Sequence, residues 1–211
     1  MIVLTNALLR DYAVHCGAAR PTEGVLHLLG MRGCRLYPAG AGKVAISLVE
    51  PIPNSYDDLV GYFGLKLALY PGTVDPGRFY SQHPLRQAGC AHTVGLDEPG
   101  GKPFSRFIGS HKRQPAFVQG EGKVVVWRDR DRDMQQDPDE QPRSEIGMGC
   151  NLHKMGQIRS DIGKWSAGCW GVMDQYWKLF WEAASIPPQL SYTNYQFDAH
   201  EFAHWFDTGR V

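Results

Sequence analysis

Residues 144–172 read SEIGMGCNLHKMGQIRSDIGKWSAGCWGV, and this stretch is the most informative part of the chain. Residues 146–152 indicate a buried strand with His153 at its end. Residues 165–172 indicate a second strand that returns beside the first. The two strands predict a hairpin that brings His153 and Cys169 together across a sheet.

Cys169 ends a Ser-x-Gly-Cys tetrad that suits nucleophilic catalysis. A thiol is a strong nucleophile only as a thiolate, so a catalytic cysteine needs a nearby imidazole, and His153 is the candidate base. Ala167 and Gly168 allow a tight turn whose amides would face a developing oxyanion, and Ser166 would fix that turn by a local hydrogen bond. The alternative is structural, with a buried apolar cysteine and a core histidine.

These motifs resemble a known family. Residues 151–153, NLH, followed by residues 165–169, WSAGC, are similar to the His…[Ser/Thr]-x-Gly-Cys signature of the L,D-transpeptidase (YkuD-type) catalytic domains, which act on peptidoglycan stem peptides. Residues 73–80, TVDPGRFY, resemble the T-x-x-G-x-[FY] segment of those domains. Residues 56–172 as a whole resemble divergent phage- and prophage-type versions, so the resemblance covers more than half of the chain.

The resemblance implies a fold and a catalytic mechanism. The fold would be mainly β, an L,D-transpeptidase-like antiparallel sandwich or sheet with a few peripheral and C-terminal helices. Cys169 would form a thioester with the stem peptide, and His153 would be the general base. Ser166 would help to orient the histidine, and the amides of Gly168 and Cys169 would form the oxyanion hole. No cofactor is required by this chemistry.

Three further residues are expected to contact the substrate: Trp165, Ala167 and Asn151. Ala167 stands where the family usually has histidine, and Trp170 stands where it usually has a polar or basic residue. Asn151 is also a candidate to contact His153. Water as acceptor would make the protein an L,D-peptidase or carboxypeptidase, and an amine would make it an L,D-transpeptidase. Both outcomes stay open.

The composition excludes several other classes. The 211 residues are 43% hydrophobic, enough for one well-buried core, and carry 22 basic and 22 acidic side chains, so no net charge recruits nucleic acid. No run approaches the ~18 apolar residues of a membrane span. The N-terminal residues lack the pattern of a signal peptide, so we expect cytoplasmic synthesis of a phage-encoded protein that another system delivers to the cell wall. Five cysteines without a C-x-x-C pair predict at least one free thiol.

The rest of the chain reads as short strands between turns. We expect residues 1–50 to be an N-terminal extension or edge elements, and residues 51–211 to be the catalytic domain, with residues 51–54 as the boundary. The predicted elements are strands at residues 44–49, 59–63, 65–70, 78–81, 91–94, 116–119, 123–127 and 192–197, and a helix that starts at Asp174 and stops at Pro187-Pro188.

An acidic loop at residues 128–140 resembles a calcium-binding template. The residues at template positions one, three, five, seven, nine and twelve are Asp129, Asp131, Asp133, Gln135, Asp137 and Glu140. Met134 stands where the template needs glycine, Arg130 and Arg132 oppose a cation, and no helical pattern flanks the loop. These misfits indicate a solvated loop of internal Asp/Arg pairs, with calcium as the alternative.

The C-terminal segment carries a competing metal motif. His200 and His204 flank Glu201 in the H-E-x-x-H pattern, which on a helix would bind zinc and place a general base beside it. Three histidines elsewhere in the chain are candidates for a third ligand, although the sequence predicts none of them: His92, His111 and His153. Asp198 and Glu201 also form a capping box of a short amphipathic helix, which explains the segment without metal. The alternatives to the cysteine mechanism are therefore a zinc metallopeptidase and a non-catalytic wall-binding or structural module.

Overall fold

Short runs of β-branched and aromatic residues, separated by glycine and proline, form most of the structure. A computed structural model describes residues 1–50, 52, 54–156, 161–186 and 189–209. The strands are β1 (Ile2–Leu4), β2 (His27–Arg32), β3 (Cys34–Tyr37), β4 (Val44–Leu48), β5 (Asp58–Phe63), β6 (Ala68–Thr73), β7 (Cys90–Thr93), β8 (Phe104–His111), β9 (Gln114–Gln119), β10 (Lys123–Asp129), β11 (Arg143–Ile146), β12 (Leu152–Lys154), β13 (Trp170–Val172) and β14 (Ser191–Asp198). The helices are α1 (Asn6–His15), α2 (Arg78–Gln82), α3 (Asp174–Ala184) and α4 (Ala199–Asp207). The predicted mainly-β fold with a few helices, one of them C-terminal, is confirmed.

Eight strands close into a barrel. Their order is β12-β13-β6-β5-β2-β14-β8-β9, and the last strand pairs with the first. Most neighbours are antiparallel, whereas β12 with β13 and β14 with β2 run parallel. The expected arrangement is an antiparallel sandwich or sheet, and the observed arrangement is a mostly antiparallel closed barrel. Closure pairs both edges of every barrel strand.

Two three-stranded sheets accompany the barrel, in the orders β1-β4-β3 and β11-β10-β7. Residues 1–50 supply the first of these sheets and α1. They also supply β2, which lies between β5 and β14 in the barrel. The division between residues 1–50 and 51–211 stays a sequence-based prediction, and the boundary segment includes Pro51 and Pro53, which lie outside the described residues.

Aromatic side chains form the two main core clusters. In the first cluster, Tyr12 of α1 packs against Phe197 of β14 and against Phe202 of α4, with ring centroids 5.0 and 4.8 Å apart. In the second, Phe180 of α3 packs against Phe117 of β9, with ring centroids 5.8 Å apart. The helices α1, α3 and α4 therefore pack apolar faces against the barrel.

The strand that carries His153 and the strand that follows Cys169 pair in parallel, so the predicted hairpin is wrong. In β12 and β13, Leu152 lies opposite Trp170 and His153 lies opposite Gly171. The other edge of β12 pairs antiparallel with β9. Because parallel neighbours need a crossover connection, the intervening chain must cross rather than turn back. Residues 157–160, which lie between the two strands in the sequence, are outside the described residues.

Two further strand predictions need correction. The strand predicted at residues 146–152 is interrupted, because Gly147 and Gly149 have φ values of 65° and 68°, which a continuous extended strand excludes. The segment at residues 78–81 is not a strand but belongs to the short helix α2, which Gly77 precedes as the N-cap. Both differences arise from local turns that period-two patterning does not reveal.

The strand predicted at residues 165–172 is limited to β13, because residues 166–169 form a turn. Most other predicted elements are confirmed with shifted ends. The hairpin of β5 and β6, the long strand β10, and the sequence α3, β14 and α4 all lie where the patterns indicate. The predicted stop of α3 at Pro187-Pro188 falls outside the described residues. Within the part of the chain that is described, no helix is both long and apolar enough to cross a membrane.

Candidate functional site

The Ser-x-Gly-Cys tetrad forms a tight turn immediately before β13. The Ser166 hydroxyl donates a hydrogen bond to the Cys169 carbonyl at 2.7 Å and accepts one from the Gly168 amide at 3.2 Å. Gly168 has φ 117°, and a Cβ there would lie 2.8 Å from the carbonyl oxygen of Ala91. Ser166 therefore fixes the turn as predicted, while its hydroxyl takes up the Gly168 amide that was expected in the oxyanion hole.

The turn is held on both sides by buried contacts. The Gly77 amide donates to the Ser166 carbonyl at 2.9 Å, and the Trp170 amide donates to the Asn151 carbonyl at 2.8 Å. The Trp170 side chain is fully buried, and its indole nitrogen donates to the Thr93 hydroxyl at 3.1 Å. Cys169 is thus positioned by the rigid start of β13 rather than by a free loop.

His153 presents an unused nitrogen. Its Nδ1 lies 2.8 Å from the Lys154 carbonyl, which can only accept, so Nδ1 carries the proton and Nε2 carries the lone pair. Nε2 is buried and has no hydrogen-bond partner among the described residues. Burial lowers the pKa of His153 to about 4, so the imidazole is neutral at pH 7. The orienting group is the Lys154 carbonyl, rather than Ser166 or Asn151.

The Cys169 thiol is also neutral in the free protein. It is 9% exposed, and its Sγ donates to the Gly149 carbonyl at 3.4 Å. Burial is the largest cause that raises the pKa of Cys169 to about 11, and the neighbouring Cys150 is the second. The backbone amide of Asn151 and the positive charge of Arg106 act to lower this pKa. The resting pair is therefore a thiol and a neutral imidazole, not a thiolate–imidazolium ion pair.

His111, at the end of β8, is a third member of the site. Its ring stacks on His153 with centroids 4.8 Å apart. The Gln119 amide donates to Oδ1 of Asn151 at 2.9 Å, which fixes the side-chain amide so that its Nδ2 donates to Nδ1 of His111 at 3.0 Å. Asn151, a candidate to contact His153, thus holds His111 instead, and its contact with substrate stays a prediction. His111 lies 42 residues before His153 and belongs to no motif, so sequence reasoning could name it only as a distant candidate ligand.

The three side chains have the composition of a zinc site. One ring nitrogen of His111, one of His153 and the Cys169 sulfur lie within 4.8 Å of one another, and two imidazoles with one thiolate are common zinc ligands. However, the bond from Asn151 to Nδ1 of His111 places the proton of that ring on Nε2. Neither nitrogen of His111 can then bind a metal unless this hydrogen bond breaks, so the observed arrangement fits a cysteine–histidine pair better.

A buried arginine lies behind the site. Arg106 is fully buried and donates to the Cys150 carbonyl at 3.1 Å, to the Cys150 sulfur at 3.3 Å and to Oδ1 of Asn194 at 2.7 Å. Its guanidinium also lies 4.3 Å from the centre of the Trp170 ring. None of these partners is a carboxylate, so the positive charge favours a thiolate at Cys169. No sequence pattern indicates this residue.

The remaining predicted substrate positions flank the turn. Trp165 is 48% exposed, and its indole packs so closely on Gly156 that a Cβ at Gly156 would lie 2.0 Å from the ring. Ala167 is partly buried beside it. Trp165 and Ala167 precede Cys169 by four and two positions in the chain. Their contact with substrate stays a prediction.

The C-terminal histidines lie on α4, which is capped as predicted. Oδ1 of Asp198 accepts the amides of His200 at 2.8 Å and Glu201 at 3.2 Å. The reciprocal half of the capping box comes from Asp97, whose Oδ2 accepts the Asp198 amide at 2.8 Å. Asp198 therefore caps the helix as predicted, whereas Asp97 takes the place that the predicted capping box gave to Glu201.

The predicted zinc ligands of α4 are only partly accessible to a metal. Nε2 of His200 lies 3.1 Å from the Val49 carbonyl. His200 and His204 belong to neither of the two groups of metal-ligating side chains found among the described residues. The metallopeptidase alternative therefore gains no third ligand from the fold.

A separate acidic cavity of about 460 Å³ lies near the site. Arg32 at its wall pairs with Asp75 at 3.0 Å and Glu98 at 2.7 Å. Nδ1 of His92 lies 3.4 Å from the Asp75 carboxylate, while its Nε2 is buried without a partner in the described structure. His92 follows Ala91, whose carbonyl contacts the Gly168 turn, so β7 separates this cavity from Cys169. These residues come from three separate segments of the chain, which is why no motif reveals them.

Comparisons of the chain with protein-family models, with curated proteins and with solved structures find no match. The functional proposal therefore depends on the geometry of the site and on the motif resemblance at residues 151–153 and 165–169.

Proposed function

We propose that this protein is a cysteine-dependent acyl-transfer enzyme that acts on peptidoglycan stem peptides. The observation that carries the proposal is the free lone pair on Nε2 of His153. This nitrogen is buried and has no hydrogen-bond partner among the described residues. One nitrogen of the same ring lies within 4.8 Å of the Cys169 sulfur. The substrate class is supported by the resemblance of the two motifs to L,D-transpeptidase domains.

The proposed first step is attack of Sγ of Cys169 on the carbonyl carbon of the stem peptide. A carbon–sulfur bond forms, and the thiol proton passes to Nε2 of His153. Collapse of the tetrahedral intermediate breaks the carbon–nitrogen bond, and the leaving amine takes the proton from His153. Water or a second amine then attacks the thioester, returns its proton to Sγ, and releases an acid or a new amide.

The neutral resting pair implies concerted proton transfer. With the pKa of Cys169 raised and that of His153 lowered by burial, an ion pair is disfavoured before substrate binds. The thiol proton must therefore move as the carbon–sulfur bond forms, while the buried charge of Arg106 stabilises the developing negative charge on sulfur.

The test is trapping of the acyl-enzyme. Purified muropeptides that carry tetrapeptide and pentapeptide stems are incubated with the wild type, with Cys169→Ala and with His153→Ala, and the intact mass of the protein is measured. We expect an acyl adduct on the wild type, none on Cys169→Ala, and formation at least about 100-fold slower on His153→Ala. His204→Ala, on the exposed part of α4, is the control and should behave like the wild type.

A second candidate is a non-catalytic wall-binding or structural module. It is favoured by the low exposure of Cys169 and by the raised pKa of its thiol. This candidate predicts that no adduct forms in any variant and that binding to isolated cell walls survives Cys169→Ala. Loss of product formation with a chelator, but not with an alkylating reagent, would instead support a zinc enzyme.

A further inference from the structure

The loop between β10 and β11 brings three carboxylates together. One carboxylate oxygen from each of Asp129, Asp131 and Asp133 lies within 4.8 Å of the other two. Asp129 is fully buried at the end of β10, whereas Asp131 and Asp133 are exposed. The cluster therefore extends from the protein interior to the surface.

Asp129 supplies a second and independent indication of a ligand. Its Oδ2 accepts hydrogen bonds from the Ser81 hydroxyl and from the Met134 amide. Its Oδ1 is buried and has no hydrogen-bond partner among the residues that the structure describes. A carboxylate oxygen removed from water without a partner costs free energy, and a cation at the cluster would offset that cost.

The fold removes two of the three sequence features that opposed a cation. Met134 adopts φ 68°, the left-handed conformation for which the template uses glycine. Arg130 bonds to the Asp139 carboxylate at 2.6 Å, so one predicted Asp/Arg pair is confirmed. Arg132 donates to the Gln82 carbonyl at 3.2 Å. Both guanidinium groups therefore have partners outside the three-carboxylate cluster.

The loop does not follow the helical calcium-binding template throughout. It connects two strands, and Glu140, at the twelfth template position, is largely buried. Oε1 of Glu140 accepts the Arg130 amide at 2.5 Å, and Oε2 accepts the Asp137 amide at 3.4 Å. Glu140 thus closes the loop on itself, which leaves the first three acidic positions as the ligand set.

We propose that Asp129, Asp131 and Asp133 bind one calcium ion. Calcium prefers carboxylate oxygens at about 2.4 Å and tolerates irregular coordination, so one ion reaches ligands that are up to about 4.8 Å apart. Magnesium demands shorter and more regular octahedral bonds, which a strand end and an exposed loop do not provide. Water would complete the coordination on the exposed side.

The test uses calcium alone on the metal-stripped, full-length protein. Isothermal titration calorimetry gives the stoichiometry and affinity, and thermal unfolding gives the shift of Tm with calcium concentration. We expect one ion per chain and a rising Tm for the wild type. In the double variant Asp131→Asn, Asp133→Asn the affinity should fall at least about tenfold. The exposed positions and the amide oxygens of asparagine preserve the loop bonds, so this variant should fold.

The matched control is Asp207→Asn, an exposed acidic residue on α4, which should bind calcium like the wild type. Absence of binding by the wild type at millimolar calcium would overturn the proposal, as would equal affinity in the double variant. Equal stabilisation by magnesium at the same concentration would overturn the assignment to calcium. The outcome is independent of the cysteine chemistry, because the measurement needs no substrate.

Discussion

The two side chains expected to perform the chemistry rest in their neutral forms. The Cys169 thiol donates a hydrogen bond to the Gly149 carbonyl, and Nε2 of His153 has no hydrogen-bond partner among the described residues. Burial moves the two pKa values away from each other, toward about 11 and about 4. A cysteine of this kind is protected from chance oxidation and alkylation until a substrate occupies the site.

This state predicts the pH dependence of Cys169 alkylation. The rate with iodoacetamide, followed at this cysteine by peptide mass spectrometry, should be low at pH 7 and should still be rising at pH 10, because the thiolate forms only near the raised pKa of about 11. A small free thiol, with a pKa of about 8.5, is the reference and should level off earlier.

A plateau of Cys169 alkylation below pH 7 would contradict this description and would indicate a preformed ion pair with His153. In that case His153→Ala should abolish the plateau. If the pair is neutral, the same substitution should change the alkylation rate much less than it changes acyl transfer.

The turn before β13 requires glycine at position 168. Gly168 combines φ 117° with close approach to the carbonyl oxygen of Ala91. A side chain there would strain the backbone and push the Ser166–Cys169 turn away from β7. Gly147 has φ 65°, but a Cβ at that position would meet no atom within 4 Å.

These two glycines give a matched pair of variants. Gly147→Ala should lower the free energy of unfolding by about 1 kcal/mol, the cost of a left-handed residue. Gly168→Ala should cost about 2–3 kcal/mol and should also reduce acyl transfer far more than Gly147→Ala does. Chemical denaturation and acyl-enzyme formation measure the two effects. Equal losses in both variants would show that Gly168 has no special role.

Asp97 links distant parts of the molecule. Its Oδ2 accepts the Tyr12 hydroxyl of α1 at 3.0 Å and the Asp198 amide at the start of α4 at 2.8 Å. Burial raises the pKa of Asp97 to about 7, although both hydrogen bonds act to lower it. In the unfolded chain the carboxyl ionises near pH 4, so the folded protein holds a proton that the unfolded chain has lost.

Stability should therefore fall as the pH rises from about 4 to about 7, and Asp97→Asn should reduce this fall. The substitution should make the fall in the free energy of unfolding smaller by about 2 kcal/mol. This is roughly half of the free energy that corresponds to the whole pKa shift of Asp97, because the side chain is partly exposed. Urea unfolding of both proteins across this range measures the difference, with Asp207→Asn as the control. Parallel stability curves for the wild type and Asp97→Asn would refute the predicted pKa.

Several features of the molecule follow from short segments of sequence alone. The pairing of β5 with β6, the amphipathic period of α3, the cap at Asp198 and the local bonds of Ser166 are all set by residues within about fifteen positions of one another. Turn chemistry and side-chain periodicity act at that range, which is why the mainly-β class and these elements were predictable.

The tertiary structure decided which elements became neighbours. The parallel pairing of β12 with β13, the stacking of His111 on His153 and the burial of Arg106 behind Cys169 all join residues that are far apart in the chain or reverse a local expectation. Strand partners are selected by the burial of whole sheet faces and by closure of the barrel, not by local propensity. The sequence therefore determined the candidate nucleophile and base. Only the fold determined their protonation states, the position of His111 beside them, and the loop conformation that brings the three carboxylates together.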